Sequence, residues 1–114
     1  MKFIGKDKKV FEELLEKAEK VFEGYEIRTF GIFDISDNEI QFFVSDGDYD
    51  LQIYVTEHGD IIGARQNSIG QFKDLLKNLA TSSELRELCN DIVRHNFIMN
   101  ENFGFELFKL TMDR

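Results

Sequence analysis

The sequence predicts an α+β fold in which helices pack on one face of an antiparallel sheet. Apolar side chains recur at helical spacing in residues 7–23, whereas residues 39–56 alternate between apolar and polar side chains. Two more stretches with helical spacing follow residue 68. The predicted order is therefore α-ββββ-α-α-β, in a single domain over residues 1–114.

The first helix is predicted over residues 7–23. Asp7 is a suitable N-cap, and Gly24 follows the last apolar side chain, where helices commonly end. One stripe of the helix carries the apolar side chains Val10, Phe11, Leu14, Leu15, Ala18, Val21 and Phe22. This stripe is expected to face the sheet.

Central strands are predicted at 39–45 (EIQFFVS) and 50–56 (DLQIYVT), with flanking strands at 25–35 and 61–65. The stretches SDN, SDGD and EHGD supply the three turns of a meander. One face of the central strands is expected to be core and the other to carry Gln41, Phe43, Gln52 and Tyr54. The 25–35 strand is apolar on both faces, so a helix is expected to cover one of them.

Two helices and a closing strand are predicted after the meander. Ser68 with Gln71, and Thr81 with Glu84, have the spacing of a capping box, which predicts where each helix begins. The closing strand is expected in FGFELFKL, residues 103–110, and the pattern assigns no element to residues 96–102.

The negative charge is concentrated in one third of the chain. The formal net charge is −8, and residues 29–64 contain eight acids without any Lys or Arg. Acids and bases balance over the remaining residues, at fourteen each. This charge disfavours direct binding to nucleic acid or anionic lipid, and favours a protein partner with a basic surface.

The stretch Asp46–Glu57 has acids at positions one, three, five and twelve, as a calcium-binding EF-hand loop does. Leu51 occupies position six, where that loop needs glycine, and both flanks alternate as strands rather than helices. A loose cation site at Asp46, Asp48 and Asp50 is the weaker alternative, but Asp and Gly are ordinary turn residues. The sequence therefore predicts an acidic hairpin, with no metal and no cofactor.

Meander geometry predicts how these acids are arranged. The first and third turns lie at the same end of the sheet and the middle turn lies at the other, with Phe43 and Tyr54 between them. An acidic strip with central aromatic residues is typical of a surface that binds a protein. The alternative is that Phe43 and Tyr54 are covered and the acids serve solubility. The predicted partner-binding residues are Asp34, Asp37, Glu39, Phe43, Asp46, Asp48, Asp50, Tyr54, Glu57 and Asp60.

No catalytic motif is present, so the chain is expected not to be an enzyme. Cys89 lies on the apolar stripe of a helix, where a free cysteine is usually buried, and His95 lies about 240° away around that helix. Neither His58 nor His95 has the spacing of zinc ligands.

These observations predict a small acidic binding protein that inhibits a basic nucleic-acid-handling protein by imitating nucleic-acid charge. Anti-CRISPR, anti-restriction and nuclease-immunity proteins use this principle, an analogy of charge and size alone. The alternative is a dimeric adaptor that holds a client peptide, pairing through its apolar helices or its last strand. The sequence shows neither a secretory signal nor about 18 consecutive apolar residues, so a cytoplasmic location is expected.

Overall fold

A computed structural model describes residues 8–34, 36–68 and 70–99. It confirms the predicted helix, four-stranded antiparallel meander and two further helices. The predicted closing strand, residues 103–110, lies outside the described residues. The elements are α1 (Lys8–Val21), β1 (Glu26–Asp34), β2 (Glu39–Ser45), β3 (Asp50–Val55), β4 (Ile61–Gln66), α2 (Lys73–Leu79) and α3 (Ser83–Arg94).

The sheet has the order β1-β2-β3-β4, so each strand pairs with its neighbour in sequence. Phe42 pairs with Phe30 of β1 on one side and with Ile53 of β3 on the other. These side chains are buried against apolar residues of the three helices, such as Leu14 and Leu88. The expected core face is therefore the face on which the helices pack.

Helix α1 ends as the sequence predicts. Gly24 has a φ of 91°, a conformation that glycine adopts without strain, and the N–H of Tyr25 donates to the carbonyl of Phe22 at 3.0 Å. An ion pair between Lys17 and Asp91 joins α1 to α3. The hydrogen bond to Asp91 raises the pKa of Lys17. The predicted N-cap, Asp7, lies outside the described residues.

The two predicted capping boxes are wrong in detail. Helix α2 begins only at Lys73, and Gln71 instead donates to Asp46 of the middle turn at 2.7 Å. Helix α3 is capped one residue later than expected, because the hydroxyl of Ser82 accepts from the N–H of Leu85 at 3.1 Å. Thus Gln71 bonds to another part of the chain instead of capping a helix, and the cap of α3 is Ser82 rather than Thr81.

After α3 the chain returns to the free side of β1. The N–H of Ile32 donates to the carbonyl of Phe97, and the N–H of Met99 donates to the carbonyl of Ile32, both at 2.9 Å. Gly31 permits this approach, since a Cβ at that position would lie 2.8 Å from the backbone nitrogen of Met99. Residues 97–99 therefore extend the sheet for a short distance in parallel, where the sequence assigned no element.

Candidate functional site: the acidic turns

The first and third turns meet at one end of the sheet, as the meander predicts. The side-chain amide of Asn38, between β1 and β2, donates to a carboxylate oxygen of Glu57, between β3 and β4, at 2.8 Å. Asn38 adopts a φ of 53°, a left-handed conformation that asparagine tolerates better than most residues. Asp34, Asp37, Glu39, Glu57 and Asp60 therefore belong to one end of the sheet.

The third turn is held both internally and against α3. The N–H of Thr56 donates to the carbonyl of Asp60 at 2.9 Å, and the Thr56 hydroxyl accepts from the N–H of Asp60 at 3.2 Å. Gly59 is buried with a φ of 85°, and a Cβ there would lie 2.8 Å from the Cα of Arg86. This contact fixes Glu57 and Asp60 relative to the helical layer.

The first turn holds Asp34 in a local network. One oxygen of its carboxylate accepts from the backbone N–H of Ser36 at 3.0 Å and from the Ser36 hydroxyl at 2.7 Å. These bonds, of which the one from the hydroxyl contributes most, lower the pKa of Asp34 because they stabilise the charged form. Asp37 also hydrogen-bonds to Asp34, though its effect on that pKa is smaller, and Asp37 is exposed, whereas Glu39 is half-buried.

The middle turn, at the opposite end, is built around Asp46. One carboxylate oxygen accepts from the N–H groups of Asp48 and Tyr49, at 3.0 and 2.8 Å, and the other accepts from Gln71 at 2.7 Å. The bond from Tyr49, the largest contribution, lowers the pKa of Asp46. Asp46 therefore organises the turn, while Asp48 is exposed beside it.

Asp50 is not part of an exposed acidic surface. It is buried, its N–H donates to the side chain of Asn67 at 3.0 Å, and its carboxylate lies 3.6 Å from Nε of Arg28. Arg28 sits where the β1–β2 register shifts, one residue before the segment that lacks basic residues. The fold thus offsets one of the eight acids with a base from outside that segment.

The second face of the sheet is covered rather than open. Phe43 is only 1% exposed, so the prediction that it is a surface anchor is wrong and the covered alternative holds for this residue. Tyr54 is half-buried and pairs with Gly63, where a Cβ would lie 3.4 Å from its ring. Gln41 and Gln52 are also buried, and Gln52 donates to Gln41 at 2.7 Å. This bond offsets part of the cost of burying the two amides, while Oε1 of Gln52 is buried without a hydrogen-bond partner among the described residues.

The predicted partner-binding residues thus divide by exposure. Phe43 and Asp50 are inside the protein, and Asp34, Glu39, Tyr54 and Glu57 are half-buried. Asp37, Asp46, Asp48 and Asp60 are exposed. Sequence reasoning missed the exposed apolar side chains near these turns, which are Phe33 and Tyr49 at 37% and Ile62 at 59%.

Other chemistry is limited in the part of the chain that the structure describes. No three His, Cys, Asp or Glu side chains within it are grouped so that they could hold a metal ion. Cys89 is buried, and desolvation raises the pKa of its thiol to about 12, which disfavours the nucleophilic thiolate. Nor does any described helix have the length and apolar character needed to cross a membrane.

Comparison with known proteins adds no evidence on function to the geometry of the acidic turns. No family model matches this chain, and neither curated proteins nor solved structures give a match.

Proposed function

We propose that this is a non-enzymatic cytoplasmic protein that binds, through its acidic turns, the basic nucleic-acid-binding surface of another protein and thereby inhibits it. The observation that supports the proposal is the convergence of the first and third turns. Residues about twenty positions apart in sequence are joined by the hydrogen bond from Asn38 to Glu57. Folding therefore concentrates a negative charge that is already uneven along the chain.

The carboxylates of Asp34 and Asp46 and the backbone of the third turn are held in place, which favours specific recognition over simple solubility. Asp34 and Asp46 have hydrogen bonds that keep them ionised, and Gly59 packs the third turn against Arg86. A preorganised charged surface loses little conformational entropy when a partner binds. Such acids can occupy a groove whose Lys and Arg side chains otherwise contact phosphates.

The structure changes the anchors that the proposal uses. Phe43 and Asp50 are buried and so are not among the proposed contacts. The exposed acids Asp37, Asp48 and Asp60 are the principal contacts with the partner in this proposal. Ile62 lies close to the third turn and supplies an exposed apolar side chain beside the charge. Aromatic or aliphatic contacts beside charged groups are common at protein interfaces.

The adaptor alternative has less support. Its proposed helical surface would use the apolar stripes of the helices, yet Leu14, Ala18, Leu88 and Ile92 are buried in the core. The other surface proposed for it, the last predicted strand, lies outside the described residues.

The proposal is tested by competition. The tagged protein is used to capture its partner from lysate of the source cell, and the purified partner is titrated with a labelled nucleic acid. We expect this protein to displace the nucleic acid, because both ligands need the same basic groove. A partner that binds both ligands at once would contradict inhibition by charge mimicry.

A matched pair of variants shows whether the displacement uses the acidic end. One variant carries Asp37→Asn, Glu39→Gln, Glu57→Gln and Asp60→Asn; Gln at position 57 retains an oxygen that can accept from Asn38. The control neutralises the same number of acids on α1 (Glu12, Glu13, Glu16 and Glu19), all of which are exposed. Displacement should weaken in the first variant and persist in the control.

A further inference from the structure

The second face of the sheet, opposite the helices, is buried at its centre. Phe43 is 1% exposed, and its neighbours across the strands, Thr29 and Gln52, are each 2% exposed. Side chains on one face of a sheet stand roughly perpendicular to it, so neighbours in the sheet cover their flanks but not their ends. Burial to this degree therefore requires a further layer of protein over the second face.

The described helices pack on the other face. The apolar cluster that joins them to the sheet includes Phe42 and Ile53 but not Phe43. Met99, the last described residue, is 3% exposed and also lies outside that cluster. The layer over the second face therefore comes from another part of this chain or from a second chain.

The centre of the second face combines one aromatic ring with uncharged polar groups. Gln52 donates to Gln41, while Oε1 of Gln52 is buried without a hydrogen-bond partner among the described residues. A covering segment would bring apolar side chains to Phe43, and one N–H group of that segment could donate to this oxygen. Charged side chains would lose hydration there without a counter-charge. The face therefore suits an apolar segment with its charges on the opposite side.

The sequence contains such a segment at residues 102–108, NFGFELF. In an extended chain, alternation would place Phe103, Phe105 and Leu107 on one side. The single charged residue, Glu106, would fall on the other side. This pattern matches what the second face can accept.

The position of Met99 gives this segment access to the second face. Met99 bonds to Ile32 at the free side of β1, so β2 lies two strand spacings, or about 10 Å, away. Ile40, the partner of Ile32, is three residues from Phe43, or about 10 Å along the strand, and packed layers are about 10 Å apart. These three offsets combine to about 17 Å, whereas the six residues from Met99 to Phe105 can span about 20 Å. The chain is therefore long enough to place Phe105 over Phe43.

We propose that residues 103–107 of the same chain cover the second face, with Phe103, Phe105 and Leu107 packed against Phe43. The short parallel pairing at Ile32 then directs the chain from the helical side to the opposite side, and the sheet has a layer on each face. This proposal does not depend on the proposed inhibitory function, because the acidic turns lie at the two ends of the sheet.

Nuclear Overhauser effects between protons of the full chain test this placement without any substitution. The ring of Phe43 should show contacts with the ring of Phe105 and with the methyl groups of Leu107. A sample of equal parts isotope-labelled and unlabelled chain separates contacts within one chain from contacts between copies. Contacts of Phe43 that lead only to residues 1–99 would overturn the proposal. Contacts with residues 103–107 that occur only between copies would also overturn it, because a second copy would then be the cover.

A double-mutant cycle in urea tests whether the contact stabilises the protein. Phe105→Ala and Phe43→Ala should each lower the urea midpoint, and together they should lower it by about 0.5 M less than the sum of the single shifts, because they remove one shared contact. Phe105→Ala with Leu88→Ala is the matched control, and its shifts should add, since Leu88 is buried on the helical face. Phe43→Leu replaces Phe43→Ala if that variant does not fold. Additive shifts in the Phe43 pair, or an unchanged midpoint in Phe105→Ala, would contradict the proposal.

Discussion

Replacing Phe43 with alanine tests whether the second face of the sheet is interior. Phe43 is 1% exposed and lies in a central strand, paired with Thr29 on one side and Gln52 on the other. Removing a buried phenylalanine ring typically costs about 3–5 kcal/mol, through lost transfer free energy and the cavity that remains. A domain of this size has a total stability of about 5–15 kcal/mol, so the loss should be large but measurable.

Urea denaturation followed by circular dichroism measures the change. With a slope of about 2 kcal/mol per molar urea, a loss of about 4 kcal/mol moves the midpoint by about 2 M. Phe33→Ala is the control, because Phe33 is in the adjacent strand but 37% exposed, and its effect should be less than half as large. If Phe43→Ala shifts the midpoint no more than the control does, with an unchanged slope, the conclusion that the second face is covered would be contradicted.

Four further predictions concern the core, the turns and ion binding. Cys89→Ala should lower the unfolding free energy by about 1–2 kcal/mol and leave partner binding unchanged, since the thiol is buried; a folded variant that loses binding would contradict this role. Gly59→Ala should lower the unfolding free energy by about 2 kcal/mol or more, because alanine is strained at a φ of 85° and its Cβ would clash with Arg86. The control is Gly47→Ala, at a φ of 104°. Its Cβ would meet no atom within 4 Å, so this variant should lose only the energy of the backbone strain. The pKa of Asp46 is lowered on folding, so its carboxylate stabilises the protein above the unfolded value of 3.8, and that contribution is lost as pH falls through the lower folded value. The stability difference between the wild type and Asp46→Asn should therefore shrink as pH falls from about 6 to below 3; a difference that grows instead would reverse the assignment. Millimolar calcium should leave the melting temperature unchanged, and a large rise abolished by Asp48→Asn would restore the cation site.

The order of elements was predictable because hydrophobic period and turn residues agree with each other along most of the chain. Alternation in 39–45 and 50–56 located the central strands to within a residue. The meeting of the first and third turns followed from meander topology alone, and the bond from Asn38 to Glu57 bears it out. Local pattern and simple geometry were sufficient for these features.

The exposure of the second face was not predictable in the same way. Alternation identifies polar side chains but does not say whether water or protein faces them, and the buried Gln52 donates to the buried Gln41 inside the protein. The partner of Asp50 was also hidden, because the register shift that places Arg28 nearby depends on strand pairing. Gln71 has the spacing of a capping residue, but its side chain donates instead to Asp46, which is 25 positions away in sequence.

The central claim is that the acidic end of the sheet attracts a basic partner, and the association rate constant tests it most directly. The rate is measured for the wild type, the fourfold-neutral variant of the acidic end and the α1 control, at about 0.05 M and about 0.3 M salt. Electrostatic steering raises association rates by about tenfold or more.

We predict that neutralising the acidic end slows association by about tenfold at low salt and by less at high salt, because the Debye length shortens. The α1 control should associate like the wild type, since nearby Lys residues such as Lys8, which pairs with Glu12, already balance that helix. Equal slowing of both variants, or an association rate that does not respond to salt, would contradict the claim.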